Sequence, residues 1–275
     1  AAFAERFSDA GVETLRAAPP IANADDRDDR DRAHLLLVRR ATLVDRVFMS
    51  LDAPTREVVA DLVRNMAEGM RWSSATFARN GGVLRTEDEL AQYCGHVLGN
   101  PVVFSVRLLR LHYGVHTALT PAEREDAMRV GEMVQLANIT RDIEKDLRRG
   151  IAYDPALQPH LGQDPIGNPA VAALCRDVRA GLVTMALRRA RSYARVIDSI
   201  HIPRVSVARA SAVLMLLFTE RYFRGCHRRM RLPVWDGPDS MAILLSRAAV
   251  ATVSKRSADR EITRVERAFL RASGP

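Results

Sequence analysis

The chain has 275 residues, enough for one large or two ordinary domains, and 47% of them are hydrophobic, enough for a substantial core. Its net charge of +8 comes almost wholly from arginine, because Lys145 and Lys255 are the only lysines. The balance favours anionic partners. Nucleic acid is set aside among these, since aromatics make up 5% and no helix-turn-helix or zinc-finger spacing accompanies the charge.

Capping signals and apolar periodicity predict helices near 1–17, 31–51, 54–79, 86–98, 101–115, 121–148, 169–199, 204–230 and 239–272, the last broken near Val253-Ser254. Starts are marked by Asp52 with Pro54, by Thr86 with Glu89, and by Thr120-Pro121-Ala122-Glu123. Turns fall at Asn80-Gly81-Gly82, from Gly150 to Gly167 and from Pro233 to Pro238. Pro101 should end or kink the helix it enters, because it lacks an N–H and crowds the preceding turn. No alternating strand pattern or repeat appears, so the chain reads as one all-α domain over 1–275 with a central cavity.

Three local features bear on partners. The acidic run Asp25 to Asp31 contains Asp-Asp-x-x-Asp, but it follows Pro19-Pro20 and precedes Leu35-Leu36-Leu37, so it reads as a solvated loop and the acidic first turn of a helix. Ala210 to Phe218 is the most apolar stretch and falls short of the roughly 20 residues a membrane span needs. It is read either as a buried core helix or as a channel wall or membrane-facing patch. Between Arg176 and Arg231 thirteen arginines face only Asp177, Asp198 and Glu220, which suits diphosphates or, as peripheral membrane contact, lipid head groups. Cys94, Cys175 and Cys226 stand far apart with no C-x-x-C, so neither a zinc site nor a disulfide framework is expected, and a reducing cytoplasm fits. Cys94 is read as a small buried residue rather than a nucleophile.

The most informative segment is Val134 to Tyr153. Read as a helix, it sets Gln135, Asn138, Asp142 and Asp146 at steps of three, four and four, all on one face. The two aspartates lie one turn apart, about 6 Å along the axis. Mg²⁺ takes hard oxygen ligands, typically one or two carboxylates completed by phosphate oxygens and water. Arg141, Lys145, Arg148 and Arg149 surround the stripe, and guanidinium groups suit phosphate. Charges at helical spacing ordinarily make a solvated face with weak ion pairs. Here Met133, Val134, Leu136, Ala137, Ile139 and Ile143 flank the stripe, and a polar row in apolar surroundings needs a site to satisfy it.

Gln135-Leu136-x-Asn138-Ile139-x-Arg141-Asp142-x-x-x-Asp146-x-x-Arg149-Gly150-x-x-Tyr153 closely resembles the second aspartate-rich motif of the squalene/phytoene synthase family. Tyr93-Cys94-Gly95-His96-Val97-Leu98-Gly99 resembles that family's Tyr-Cys-x-x-Val-Ala-Gly helix, and Gly69-Met70 a weaker landmark. The likeness spans roughly residues 35 to 160. It departs at Arg71-Trp72-Ser73-Ser74, where an acidic or amide residue is usual, and at Asn100-Pro101, where small residues are usual. The family's first aspartate-rich motif is expected ahead of Ala1, so the N-terminal helices that carry it are read as lacking.

The resemblance implies a class I isoprenoid synthase-like helical bundle that joins two prenyl diphosphates head to head. Farnesyl or geranylgeranyl diphosphate would be the substrate, and Mg²⁺, or Mn²⁺ in its place, would be the metal. NADPH would be needed only for a squalene-type product. Asp142 and Asp146 would hold metal and be catalytic with Tyr93, while Gln135, Asn138, Arg141 and Arg149 would bind the diphosphate. The alternative is a non-catalytic member acting as a scaffold, assembly factor or lipid-binding partner. A complementary subunit supplying the first motif is a further expectation.

Overall fold

The computed structural model describes residues 41–274 apart from Arg204. The helix read at 1–17, the first part of 31–51 and the acidic run Asp25 to Asp31 lie outside the described residues. The chain divides into two units, Ala1–Ala67 and Glu68–Pro275. In the first unit lies α1 (Ala41–Ser50), and α2 (Ala53–Arg79) begins there. Asp52 starts α2 as expected, its Oδ1 accepting the Thr55 N–H at 2.7 Å.

The second unit holds the end of α2, then α3 (Glu87–Cys94), α4 (Asn100–His112), α5 (Pro121–Arg148), α6 (Pro169–Arg188), α7 (Ser192–Ser199), α8 (Val207–Met230), α9 (Met241–Val253) and α10 (Lys255–Ala272). No strand occurs among the described residues, and Val83 and Ala152 form one isolated parallel bridge. α5 is the central helix, packing against α3, α4, α6, α7 and α8. Its start is over-determined. Thr120 and Glu123 form a reciprocal capping box and Pro121 supplies a pre-set φ. Met133, Leu136, Ile139, Ile143 and Leu147 give it a fully buried row. Each such side chain contributes about 1.5–3 kcal/mol over an exposed position.

Pro101 neither ends nor sharply breaks its helix. The chain stays right-handed helical from Glu87 through His112 because Gly95–Gly99 forms a π-helical turn, in which the Asn100 N–H reaches back to the Gly95 carbonyl. The wider turn leaves the proline in the first turn of α4, where its missing N–H matters least. The span read at 169–199 is interrupted by a 3₁₀ turn at Arg189–Arg191 that separates α6 from α7. The break near Val253-Ser254 falls as expected, with Ser254 extended and capping α10 through the Ser257 N–H.

Close backbone approach fixes the contact between α5 and the π-turn. A Cβ on Gly131 would lie 2.5 Å from Gly99 Cα and 2.6 Å from the Leu98 carbonyl carbon. No side chain can yield there. Gly131→Ala is therefore expected to cost about 1–3 kcal/mol by forcing the helices apart, measurable as a lowered midpoint in denaturant. Gly225→Ala, on α8 with open space at its Cβ, is the neutral control.

All three cysteines are buried and free. Burial pushes the Cys94 thiol far above its ordinary range, as a structural thiol requires. Among the described residues no helix is long and apolar enough to cross a membrane.

Candidate active site

The predicted stripe lies on the C-terminal half of α5. Gln135 is buried, and Asn138, Asp142 and Asp146 are half-buried. Asn138 Nδ2 donates to Gln135 Oε1 at 3.4 Å, linking the two amides one turn apart. The Arg141 guanidinium grips its neighbour Asp142, with Nη2 2.7 Å from Oδ2 and Nε 3.3 Å from Oδ1. Those hydrogen bonds hold the Asp142 carboxyl below the usual carboxylate range, so it is ionised at neutral pH. Asp146 accepts the Tyr153 hydroxyl on Oδ2 at 3.0 Å, and Arg149 Nη1 stands 3.9 Å from Oδ1. Each carboxylate of the expected metal pair thus faces one of the arginines expected to bind diphosphate.

Tyr153 was quoted in the motif without a role, and its position comes from the turn that closes α5. Gly150 takes a left-handed φ of 77°, which lets the chain reverse, and the Ile151 N–H bonds back to the Asp146 carbonyl at 2.9 Å. The returning segment pairs with the loop after α2, Ala152 N–H to Gly82 O at 2.9 Å and Leu84 N–H to Ala152 O at 3.1 Å. Gly82 has φ 91°, and a Cβ there would sit 2.3 Å from the Gly150 carbonyl oxygen. Two glycines therefore let two loops touch and aim Tyr153 back at Asp146. The only sequence sign was a tyrosine placed just beyond the helix-ending Gly150.

Tyr153, Tyr93 and Phe77 form an aromatic cluster beside the stripe. Tyr93 and Tyr153 have ring centroids 5.6 Å apart, and Phe77 meets both edge-on, at 5.7 and 6.2 Å. Burial raises both phenols above their ordinary range, so both stay protonated at neutral pH. Tyr93 is thus brought to Asp146 through Tyr153 rather than directly. Tyr153→Phe is expected to cost about 1.5 kcal/mol of stability, because a buried hydrogen bond to a charged group is lost. Thermal unfolding of the two proteins side by side measures it.

On the flank of α5, Tyr222 and Thr140 share a hydrogen bond at 2.8 Å, and Arg179 Nε donates to the Thr140 carbonyl at 2.8 Å while pairing with Glu144. These contacts tie α5 to α8 and α6 and keep the stripe from rotating.

Val130 and Val134 precede Asn138, Asp142 and Asp146 in one row of four-residue steps. Both line an apolar cavity of about 440 Å³ whose walls include Val106 and Leu109 of α4, Val196 and Ile197 of α7, and Ala212 and Met215 of α8. An apolar cavity is present, and the helix that carries the carboxylates supplies part of its wall. The stretch from Ala210 to Phe218 proves to be both core and wall. Val213, Leu216 and Leu217 are fully buried, while Ala212 and Met215 face the cavity.

The Gly69-Met70 landmark acquires a physical reason at its first residue. His96 packs so close that a Cβ on Gly69 would lie 2.6 Å from its Cβ, and Trp72 lies against the same imidazole with centroids 5.3 Å apart. Six of the thirteen arginines from Arg176 to Arg231 are engaged within the fold, whereas Arg176, Arg191, Arg221 and Arg231 are exposed. Arg179, Arg189, Arg195 and Arg228 are paired with carboxylates, Arg209 donates to the Ile202 and Pro203 carbonyls, and buried Arg224 is tied to Trp235, Pro238 and Asp239. A charge count along the sequence does not see partners that folding supplies.

The helical bundle, the paired carboxylates on its central helix and the apolar cavity alongside define an all-α, class I isoprenoid synthase-like protein. The squalene/phytoene synthase family pattern matches residues 13–236, and the chain belongs to that family. It is similar to phytoene synthase 1, chloroplastic, of Arabidopsis thaliana, 31% identical over 155 residues that cover 54% of this chain and 35% of the relative. It is also similar to phytoene synthase 2, chloroplastic, of Solanum lycopersicum, 32% identical over 148 residues covering 50% and 42%. The alignments span less than half the length of these curated relatives. No solved structure matches at a comparable level.

Proposed function

We propose that this chain is a head-to-head prenyltransferase that joins two prenyl diphosphates through metal-assisted ionisation of the diphosphate. The observation that carries the reading is the α5 stripe, on which Asp142 and Asp146 stand one turn apart on the helix that also gives Val130 and Val134 to the wall of an apolar cavity. Two carboxylates suit Mg²⁺, or Mn²⁺ in its place, whose shell is completed by phosphate oxygens and water. When bound, the metal would offset the charge that develops on the diphosphate as its carbon–oxygen bond breaks.

The chain's own residues would do the rest. Arg141 leaves Asp142 and Arg149 turns from Asp146, so both guanidinium groups take diphosphate oxygens as the carboxylates are engaged. Gln135 and Asn138 hold the stripe in register. The hydrocarbon tail lies in the apolar cavity, away from water. Tyr93 and Tyr153, both protonated and each met edge-on by Phe77, turn electron-rich rings toward the allylic cation, and Tyr93 relays the proton lost from carbon, its own hydroxyl proton passing by way of Tyr153 to the Asp146 carboxylate. The names of the relatives favour a phytoene-type product, formed by proton loss without NADPH.

The deciding experiment incubates the protein with Mg²⁺ and farnesyl or geranylgeranyl diphosphate, with and without NADPH, and identifies the hydrocarbon by mass. Release of two diphosphates per hydrocarbon is expected. Folded protein that consumes neither substrate, with Mg²⁺ or Mn²⁺, would instead support the scaffold reading or a need for carboxylates from a complementary subunit.

A further inference from the structure

Two consecutive helices carry exposed features that the proposed chemistry does not use. α9 buries Leu244, Ala248 and Ala251 on one row and turns Ile243, Leu245, Val250 and Val253 outward, each 45–61% exposed. Its single ionisable residue, Arg247, is tied to Glu261 at 3.1 Å, and Ser246 returns its hydroxyl to the Ile243 carbonyl. The outward face therefore presents no free charge, whereas a helix resting on a core ordinarily presents charged residues to water.

α10 is the reverse. It buries Ala258, Ile262, Val265 and Phe269 and sets Arg256, Arg260, Arg267 and Arg271 on the opposite side, at steps of four, seven and four. The row is about 22 Å long at the helical rise per residue. All four guanidinium groups are exposed and none is in an ion pair with a described residue, unlike Arg264 between them, which is held by Glu220 and Glu261. They border an open groove of about 510 Å³ in which Asp259 is the only acidic side chain among the described residues.

We propose that α9 and α10 together form a docking surface for a bilayer containing anionic lipid. The helices meet at the single extended residue Ser254, so Val253 and Arg256 lie within one turn of each other. An apolar helix face followed directly by unpaired arginines is what the membrane interface accommodates, with apolar side chains among the acyl chains and guanidinium groups at the phosphates. Charge complementarity selects this occupant. The cationic row matches a laterally continuous array of phosphates, and the neighbouring face matches hydrocarbon. The proposal is independent of the reaction, although such docking would place a hydrocarbon product next to a lipid phase.

The test is co-sedimentation of the full chain, without Mg²⁺ or prenyl diphosphate, with phosphatidylcholine vesicles and with vesicles that also contain phosphatidylglycerol. Binding is expected only to the anionic vesicles and should weaken as salt rises, since exposed charges are screened within about 8 Å at physiological ionic strength. Each arginine near an anionic surface is worth about fivefold in affinity, so R260A/R267A should lose roughly 25-fold. R256A/R271A should lose as much. Ile243→Asn with Val250→Asn should weaken binding several-fold while keeping its salt dependence. All these positions are exposed, and thermal melts confirm that the variants fold. Equal partitioning to both vesicle types, or unchanged affinity in both arginine pairs, overturns the proposal. So does a dimer that the α9 double variant dissociates while vesicle binding persists, because a second copy would then occupy that face. Since no substrate is present, failure here leaves the prenyltransferase reading untouched, and loss of activity leaves this surface untouched.

Discussion

Asp142→Ala is expected to lower turnover at least about a hundredfold, the order lost when one electrostatic stabiliser of a developing charge is removed, with no change in melting temperature. The two parts of the expectation have separate causes. Asp142 is half-exposed, and its partner Arg141 is exposed and returns to water without penalty when the carboxylate goes. Asp146→Ala should lose as much activity but also about 1.5 kcal/mol of stability, because the buried Tyr153 hydroxyl then has no acceptor there. Asp146→Asn separates these effects. Its amide oxygen still accepts from Tyr153, so stability should return, while the charge needed for a divalent cation does not. Steady-state rates at saturating Mg²⁺ and thermal melts on the same preparations measure both. Wild-type turnover in a folded Asp142→Ala, Asp146→Ala double variant would remove the metal assignment.

The contrast between the two aspartates shows what the sequence carried and what it did not. Spacing alone placed Gln135, Asn138, Asp142 and Asp146 on one face, because helical geometry is local and Thr120 to Glu123 announce the start of α5. The break before α10 was likewise local, written in Ser254 and its bond to Ser257. Tyr153 was legible as a residue but not as a partner. Its approach to Asp146 depends on the Gly82 and Gly150 loops meeting, a contact between segments far apart in the chain. Pro101 misled for a similar reason. The rule that proline breaks a helix assumes α-helical register, and the π-turn over Gly95–Gly99 changes that register just upstream. Which of the arginines after Arg176 are paired was not legible, because pairing is tertiary. Glu132, Glu144 and Asp126, which neutralise three of them, all come from α5. A regular row without ion pairs to described residues lies later, on α10.

Glu220→Ala is expected to be the most destabilising single change on the C-terminal side of the fold, costing about 3 kcal/mol, the low end for breaking a buried ion pair. Glu220 is wholly buried in α8 and accepts both Arg264 nitrogens at 2.7 Å, with the Trp235 indole N–H at 3.2 Å. One carboxylate thus joins α8, α10 and the loop between α8 and α9. The loop is packed so closely that a Cβ on Gly237 would lie 2.9 Å from Glu220 Oε1 and 2.8 Å from Arg224 Nη1. Truncation leaves the indole N–H unpaired and a cavity under the loop. Arg264 is about one-third exposed and keeps Glu261 at 3.1 Å, so its charge is not stranded, which is why the low end applies. A loss of that size should lower the melting temperature by roughly 6–12 °C for a chain of this length. Glu220→Gln keeps the shape and one acceptor, and should fall between wild type and alanine. Trp235→Phe, which removes only the indole donor, should cost less than either. Turnover measured well below the melting transition should be unchanged in all three, because none of these groups touches the α5 stripe or the cavity wall. A selective loss of activity in Glu220→Gln with an unchanged melt would instead place this clasp in the chemistry.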